Sequence, residues 1–282
     1  MMDRLTRRKL VNITMLTLTG VCTVTTVSVL FVILGLLVYH GVSSLSWNFF
    51  TQLPKPTGET GGGLANAIVG SAEIVGLAAL VGIPIGFIAG IYLAEYEDKK
   101  FASIVRYVAD LLNGVPSIIV GILGWALLVK PMHGNSGLAG SVALSIMLIP
   151  IVTRQTEQFL REVPLALREG ALALGASKWK MIATVAVPAG SKGILTGMIL
   201  GVARIAGESA PLLFTAGAAQ YWSNMTEATS SLPVMIYKLA TSPYEDQNQL
   251  GWAAGLVLIG MVLTANILAR LVLARGVSVP RG

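Results

Sequence analysis

Six long apolar segments, separated by shorter polar stretches, organise this chain of 282 residues. They cover residues 13–39, 64–94, 104–129, 138–158, 190–216 and 250–273. A helix needs about 20 predominantly apolar residues to cross the hydrocarbon core of a bilayer, and each segment is long enough. The first segment is also too long to be the apolar core of a signal peptide. The pattern therefore predicts an all-α membrane protein built as a six-helix transmembrane bundle.

The polar stretches suggest how the chain divides. Residues 1–63 are predicted to hold an N-terminal cytoplasmic segment, the first transmembrane helix and an external loop. Residues 64–276 are predicted to form a transmembrane domain of five helices, with a cytoplasmic loop at 159–189. Residues 277–282 would then be a cytoplasmic tail, and residues 232–241 form an amphipathic segment in the last external stretch.

Composition and charge agree with a membrane protein. The chain is 54% hydrophobic and only 12% charged, against about 25% charged residues in soluble domains. Of its 20 lysines and arginines, 16 fall in segments on the side of both termini and three in the opposite segments. Basic residues are enriched in cytoplasmic loops, so both termini are predicted to be cytoplasmic. This placement accounts for the net charge of +6 without a nucleic-acid partner.

Several kinds of chemistry are excluded by residue counts. One cysteine, Cys22, cannot form a disulfide within the chain, and with two histidines it offers no metal-ligand cluster. No glycine-rich phosphate-binding loop with the G-x-x-x-x-G-K-[S/T] pattern occurs. Any ATP-driven function would therefore need a partner that binds ATP, and the chain itself is not expected to be an enzyme.

The longest polar break between the spans has the features of two short helices with a joint. Pro164 can start the first helix, because its missing N–H is harmless there. Gly175 tolerates the left-handed conformation that ends a helix, and Ser177 can cap the next one. Pro188 is expected to close the second helix before the chain re-enters the membrane. An ordinary cytoplasmic linker is the alternative interpretation.

The spacing of residues in this break resembles the EAA signature of ABC importer permeases. The matching positions are Glu169, Ala171, Gly175, Val185, Val187 and Pro188. Gly170 stands where alanine is usual, which is a mild departure. Residues 193–213 and 113–122 are in addition similar to the phosphate-importer branch, the PstA family.

The resemblance implies a type I, MetI-like permease fold and a role as half of the transmembrane pathway of an ATP-driven phosphate importer. It implies a coupling helix that docks on a separate ATPase through Glu169, Gly170, Ala171, Gly175, Trp179 and Pro188. The implied partners are a second permease (PstC-type), an ATPase dimer (PstB-type) that holds ATP and magnesium, an external phosphate-binding protein (PstS-type) and membrane lipid. The implied location is the inner membrane of a bacterium or archaeon.

Two other functions remain open at this stage. One is a permease of the same fold for another oxyanion, such as sulfate or molybdate. The other is a channel or secondary transporter that needs no ATPase, against which the EAA-like loop argues.

Charged residues within a span are the first candidates for the pathway, because a charge at the bilayer centre is costly and usually faces water or a partner. Arg204 lies about 14 residues into the fifth predicted span, and Glu208 follows four residues later. A guanidinium can bind phosphate through two N–H donors. Arg204 is therefore predicted to meet the anion, and Glu208 to hold the Arg204 side chain in place. The alternative is that the two residues only neutralise each other.

The third predicted span contains a second candidate. Gly114 and Pro116 weaken the helix, and a break would leave N–H groups near Ser117 free to face an anion. Asn113 and Ser117 are predicted to line the same passage as Arg204, with a simple proline kink as the alternative. Asp110 lies nearer the end of the span and is expected to be a structural partner or a solvated residue at the rim.

Glycines also recur at four-residue spacing, which lets membrane helices approach closely. We expect tight helix contacts along these positions, which are Gly82, Gly86 and Gly90, then Gly193, Gly197 and Gly201, then Gly251 and Gly255.

Overall fold

The computed structural model describes residues 4–56, 59, 61–96 and 99–276, with side chains as far as residue 271. The predicted tail at 277–282 lies outside this range. The regular structure of the described residues is helical throughout. The helices are α1 (Arg4–Val42), α2 (Trp47–Thr51), α3 (Ala65–Glu95), α4 (Lys100–Gly114), α5 (Ser117–Met132), α6 (Gly137–Arg161), α7 (Leu165–Ala173), α8 (Lys178–Ala206), α9 (Ala210–Thr215), α10 (Leu232–Ala240) and α11 (Glu245–Gly276).

Five of these helices, α1, α3, α6, α8 and α11, are long and apolar enough to cross a membrane. The pair α4 and α5 passes the same test together and is bent by 100° between its two parts. The described chain therefore has five or six candidate spans, in the order in which the hydrophobic pattern placed six.

The third predicted span, 104–129, is divided at the break that Gly114 and Pro116 predict, which confirms the break over a simple proline kink. Val115 and Pro116 both have extended backbone angles, with ψ of 129° and 133°. A residue before proline is pushed out of the helical region by the proline ring, and proline itself offers no N–H to continue the ladder. The chain consequently stops at Gly114 and starts a new helix at Ser117 in a different direction.

The fifth predicted span, 190–216, is wrong at both ends. The helix α8 begins at Lys178 and ends at Ala206, so Pro188 lies inside it and does not close a helix before it. One wide turn over Ile182–Ala186 precedes the proline, and in it the N–H of Val187 donates to the carbonyl of Ile182. This widened turn accommodates the missing donor of Pro188 and lets the helix continue.

Helix α6 is the centre of the bundle. The glycine row of α3 packs on one side of it, with Gly82 against Leu148, Gly86 against Val152 and Gly90 against Thr156. The glycine row of α8 packs on it as well, with Gly193 against Phe159, Gly197 against Gln155 and Gly201 against Leu148 and Ile151. The predicted close approach of helices along these glycines is confirmed.

The remaining helices complete the bundle at its edges. Helix α1 packs on α11, where Gly41 meets the backbone of Trp252 and Gly255 meets Leu37. The predicted amphipathic segment forms α10, which joins α2, the start of α3 and α11 in a second apolar core around Phe49, Leu64, Leu232 and Ala253.

Candidate functional site

The chain after α6 forms the first short helix and the joint that the sequence predicts, whereas the second predicted helix continues as α8; we call residues 164–181 the elbow. Helix α7 begins directly after Pro164. Gly175 has a φ of +82°. The N–H groups of Gly175 and Ala176 donate to the carbonyls of Leu172 and Ala171, at 2.9 and 3.1 Å, which is the usual way for a glycine to end a helix. The hydroxyl of Ser177 accepts from the N–H of Lys180 at 3.4 Å and caps α8.

The outer side of the elbow is apolar and uncovered. Leu174 is 90% exposed and Trp179 is 71% exposed. Leu165, Leu167 and Leu172 of α7 are exposed as well. Glu169 and Gly170 are also exposed, whereas Ala171 is half-buried against the main core. An exposed group of large apolar side chains of this kind is typical of a surface that contacts another protein or the membrane.

The inner side of the elbow is fixed to the bundle by charged groups. The Arg168 guanidinium forms an ion pair with the Glu95 carboxylate and also donates to the backbone carbonyl of Leu160. Lys178 donates to the backbone carbonyl of Glu95 at 2.7 Å and lies 4.0 Å from the centre of the Tyr96 ring. Both arms of the elbow are thus attached to the last turn of α3.

Three arginines surround one buried carboxylate at the elbow end of α6. Glu157 is only 2% exposed. Its Oε1 accepts from Arg106 Nη2 at 2.8 Å and from Arg161 Nη2 at 2.9 Å, and its Oε2 is paired with Arg154. Arg154 Nε also lies 3.0 Å from Asp110 Oδ1, so the expectation that Asp110 is a structural partner is confirmed.

This arginine cluster opens into a cavity of about 390 Å³, lined by Arg106, Arg154, Glu157, Gln158 and Arg161. Each of the three arginines is partly exposed and forms an ion pair with a carboxylate, so the cavity wall carries both positive and negative groups. Sequence reasoning counted these arginines only as markers of orientation. The signal that points to them is the spacing of Arg154, Glu157 and Arg161 along one helix face, together with the one-turn spacing of Arg106 and Asp110.

The predicted pairing of Arg204 with Glu208 is absent from the described part of the chain. Helix α8 ends at Ala206, so Glu208 lies in the short break before α9 and not one turn further along the same helix. Arg204 is exposed, and the described residues give its side chain no ion-pair partner. Gly201, three residues earlier, packs against Leu148 and Ile151 near the middle of α6. Arg204 accordingly lies at about half the depth of the bundle, as its sequence position suggests.

The break between α4 and α5 reaches a similar depth. Helix α4 runs antiparallel to α6, with Arg106 beside Glu157 and Asp110 beside Arg154. Gly114 therefore comes level with about residue 150 of α6, one turn beyond Asp110. Asn113 is exposed at this break, and Ser117 is half-buried.

Helices α5 and α9 each follow a break, at residues 115–116 and 207–209, and they pack against each other. Gly121 packs against Ala210 and Pro211, and Gly124 against Thr215, so the two helices run parallel. In this register the first turn of α5 lies beside the residues that precede α9. The structure thus brings Ser117 and Glu208 to the same end of one helix pair, although their sequence positions are far apart.

Residues 82–276 match the family model described as "Binding-protein-dependent transport system inner membrane component". Two relatives are named "Phosphate transport system permease protein PstA". The protein from Yersinia pestis is 45% identical, over 84% of this chain and 81% of its own. The protein from Haemophilus influenzae is 48% identical, over 85% of each chain.

Solved structures give the same fold at low sequence identity. A methionine ABC transporter in inward-facing conformations has a TM-score of 0.63 at 16% identity, over 74% of this chain and 94% of its own. A bacterial alginate ABC transporter in complex with its periplasmic protein has a TM-score of 0.64 at 17% identity, over 93% of both chains. The predicted MetI-like helical fold is confirmed.

The relatives are named as permeases of a transport system, and the family as an inner membrane component. The expectations of a transport subunit and of an inner-membrane location are confirmed in those terms. The chain belongs to the binding-protein-dependent transport system inner membrane components and, within them, to the PstA family of phosphate transport permeases.

Proposed function

We propose that this chain is the permease subunit of an ATP-driven importer of inorganic phosphate, and that it couples to a separate ATPase through the elbow. The observation that carries the proposal is the two-sided elbow. Its outer side presents Leu174 and Trp179 to a partner, while its inner side is bound to α3 through Arg168 and Lys178. A surface of this kind can receive a movement from outside and pass it to the transmembrane helices.

The two breaks at mid-depth, one before α5 and one before α9, support a pathway that runs beside them. Non-helical backbone is tolerated at membrane depth only where it is buried in protein or lines a water-filled space. Asn113, Gly114 and Arg204 are exposed in the single chain. A second permease of the same fold, PstC-type, would cover these groups and form the other half of the pathway.

The cargo assignment rests on the relatives and on the cations of the site. Phosphate is the anion in the names of the PstA relatives. Arg204 offers a guanidinium at mid-depth, and the arginine cluster offers further guanidinium groups nearer the elbow. A guanidinium stays charged at physiological pH and binds a tetrahedral oxyanion with paired N–H donors.

The proposed assembly places the elbow and both termini in the cytoplasm. A PstB-type ATPase dimer would hold ATP and magnesium and meet Glu169, Gly170, Ala171 and Trp179 of the elbow, with Gly175 setting its bend and Pro188 lying just beyond it in α8. A PstS-type protein would deliver phosphate from the other side. Membrane lipid would cover the outer helices, and no nucleic acid takes part.

Docking on the ATPase is tested by co-purification of the ATPase with the permease. Trp179→Ala removes a large exposed anchor, and anchors of this type contribute about 2 kcal/mol or more to an interface, or roughly a 30-fold change in affinity. Trp47→Ala is the matched control, because Trp47 is as exposed on α2 but belongs to a different part of the chain. Full retention of the ATPase by Trp179→Ala would refute docking through the elbow.

The cargo is tested by uptake of labelled phosphate into proteoliposomes that contain the full importer. Arg204→Ala is expected to abolish uptake while the ATPase still co-purifies, and Arg204→Lys to recover part of it because the charge returns without the fork. Lys192→Ala, at an exposed cation of the same helix, should transport normally.

Competition and ATP dependence separate the alternatives. Unlabelled phosphate should block uptake, and sulfate or molybdate should not. Stronger competition by one of those anions would assign the cargo to it. Uptake by the permease without ATP or ATPase would instead indicate a channel or a secondary transporter.

A further inference from the structure

We propose that Glu95 and Arg168, with Lys178 and Tyr96, form a clamp that holds the elbow rigidly against the end of α3 and passes its movement into the bundle. These are positioning residues, and the inference rests on the proposed function of the elbow. The clamp residues contact the end of α3, whereas Leu174 and Trp179 of the elbow are exposed.

The ion pair of the clamp, between Arg168 and Glu95, is buried where the elbow meets the bundle. The Arg168 side chain is 13% exposed and the Glu95 side chain 4%. Away from water, an ion pair holds its geometry far more firmly than a surface pair, which side-chain entropy and salt weaken. The Arg168–Glu95 pair therefore fixes α7 to the last turn of α3.

The second arm of the elbow is attached to the same turn. Lys178, the first residue of α8, donates to the Glu95 carbonyl and lies over the Tyr96 ring. Carbonyls at a helix C-terminus carry partial negative charge and attract cations. Because α7 and α8 are both attached to the end of α3, the joint at Gly175 cannot bend without breaking one of the two attachments.

The clamp continues into the bundle in two directions. Arg168 also donates to the Leu160 carbonyl in the last turn of α6. Arg106, of the arginine cluster, lies 3.4 Å from the Leu93 carbonyl, only two residues before Glu95. Helices α3 and α6 are in close contact along the whole glycine row. A push on the elbow therefore moves these helices and the arginine cluster together, and does not swing the elbow alone.

The experiment compares clamp variants in the full importer, reconstituted with the second permease, the ATPase and the binding protein. Two quantities are measured: the ATPase retained on the purified permease, and the phosphate taken up per ATP hydrolysed. Arg168→Ala should retain the ATPase and lower uptake per ATP by roughly 2- to 30-fold, the range for residues that carry coupling between sites. Arg168→Lys should recover part of the loss, because the charge is restored.

Lys178→Met provides a second variant at an exposed position, where a change has little effect on folding. Lys180→Met is its matched control, since it removes the same charge from the same exposed turn. Within the described residues the Lys180 side chain has no hydrogen bond or ion pair to α3. We expect a lower uptake per ATP for Lys178→Met and the parental value for Lys180→Met. If Arg168→Ala fails to insert, the lysine pair decides alone.

Three results would refute the proposal that these residues form a clamp. Parental uptake per ATP in both Arg168→Ala and Lys178→Met would show that the contacts transmit nothing. Loss of the ATPase in these variants would show that the residues bind the partner directly. An equal effect of Lys180→Met would assign the loss to charge and not to the contact. Failure of elbow docking itself is a different outcome, because it would appear as full ATPase retention by Trp179→Ala.

Discussion

Replacing Gly90 with alanine would place a methyl group inside the contact between α3 and α6. A Cβ built on Gly90 would lie 2.5 Å from the Cβ of Thr156 and 2.6 Å from the backbone carbonyl of Thr153. Neither atom is the end of a flexible side chain, so the two helices must separate to admit the methyl. The same substitution at Gly76, on the same helix, meets nothing within 4 Å.

The difference between these two variants isolates the packing cost. Alanine gains about 0.5–1 kcal/mol over glycine in a helix interior, and this gain is common to both positions. Overpacking a tight core costs about 1–3 kcal/mol. With roughly 2–4 °C of melting temperature per kcal/mol for a chain of this size, Gly90→Ala should melt roughly 2–12 °C below Gly76→Ala.

The measurement is thermal unfolding of the detergent-purified permease, followed by tryptophan fluorescence at one fixed heating rate. Gly76→Ala serves as the reference, because it changes the same residue type on the same helix without a contact. A melting temperature of Gly90→Ala equal to or above that of Gly76→Ala would refute the close approach of α3 to α6 at this level.

Two further predictions concern the elbow and the arginine cluster. Gly175→Ala should destabilise the elbow by about 1–2 kcal/mol, because φ is +82° there, and it should increase proteolysis between α7 and α8. Gly170→Ala, at an open position in α7, should not, and equal cleavage of both would contradict the left-handed joint. Glu157→Gln should lower stability by about 1–3 kcal/mol, because three arginines lose their common counter-charge. Added salt should reduce the deficit by screening their repulsion, and a deficit independent of salt would contradict this cause.

The hydrophobic pattern was sufficient for the order of the spans, because length and apolar character decide whether a helix can cross a membrane. It was not sufficient for their continuity. Pro116 and Pro188 look alike in the sequence, yet one ends a helix and the other lies inside one. The difference comes from the neighbours: a widened turn at Ile182–Ala186 absorbs Pro188, whereas Val115 and Pro116 both become extended.

The elbow was predictable in detail because its signals are local. Pro164, Gly175 and Ser177 each act on backbone groups within a few residues, so their effects do not depend on the rest of the bundle. The arginine cluster was not predictable in the same way. Arg106 and Glu157 are 51 residues apart, and only the packing of α4 on α6 brings them together. The predicted pairing of Arg204 with Glu208 is wrong because it assumed that one helix carries both residues. That helix ends at Ala206, before Glu208.

The arginine cluster around Glu157 lies between the elbow and the break that precedes α5. Glu157 neutralises arginines from two helices, with Arg106 on α4 and Arg154 and Arg161 on its own helix. Helix α4 leads directly into the break at Val115, so a displacement of Arg106 relative to Glu157 changes the position of that break. Because Arg106 also contacts the last turns of α3 beside Glu95, the cluster connects the end of α3, which the elbow grips, to the mid-depth break where Asn113 and Ser117 lie. Under the proposed clamp, a movement of the elbow reaches the break through this one set of ionic contacts.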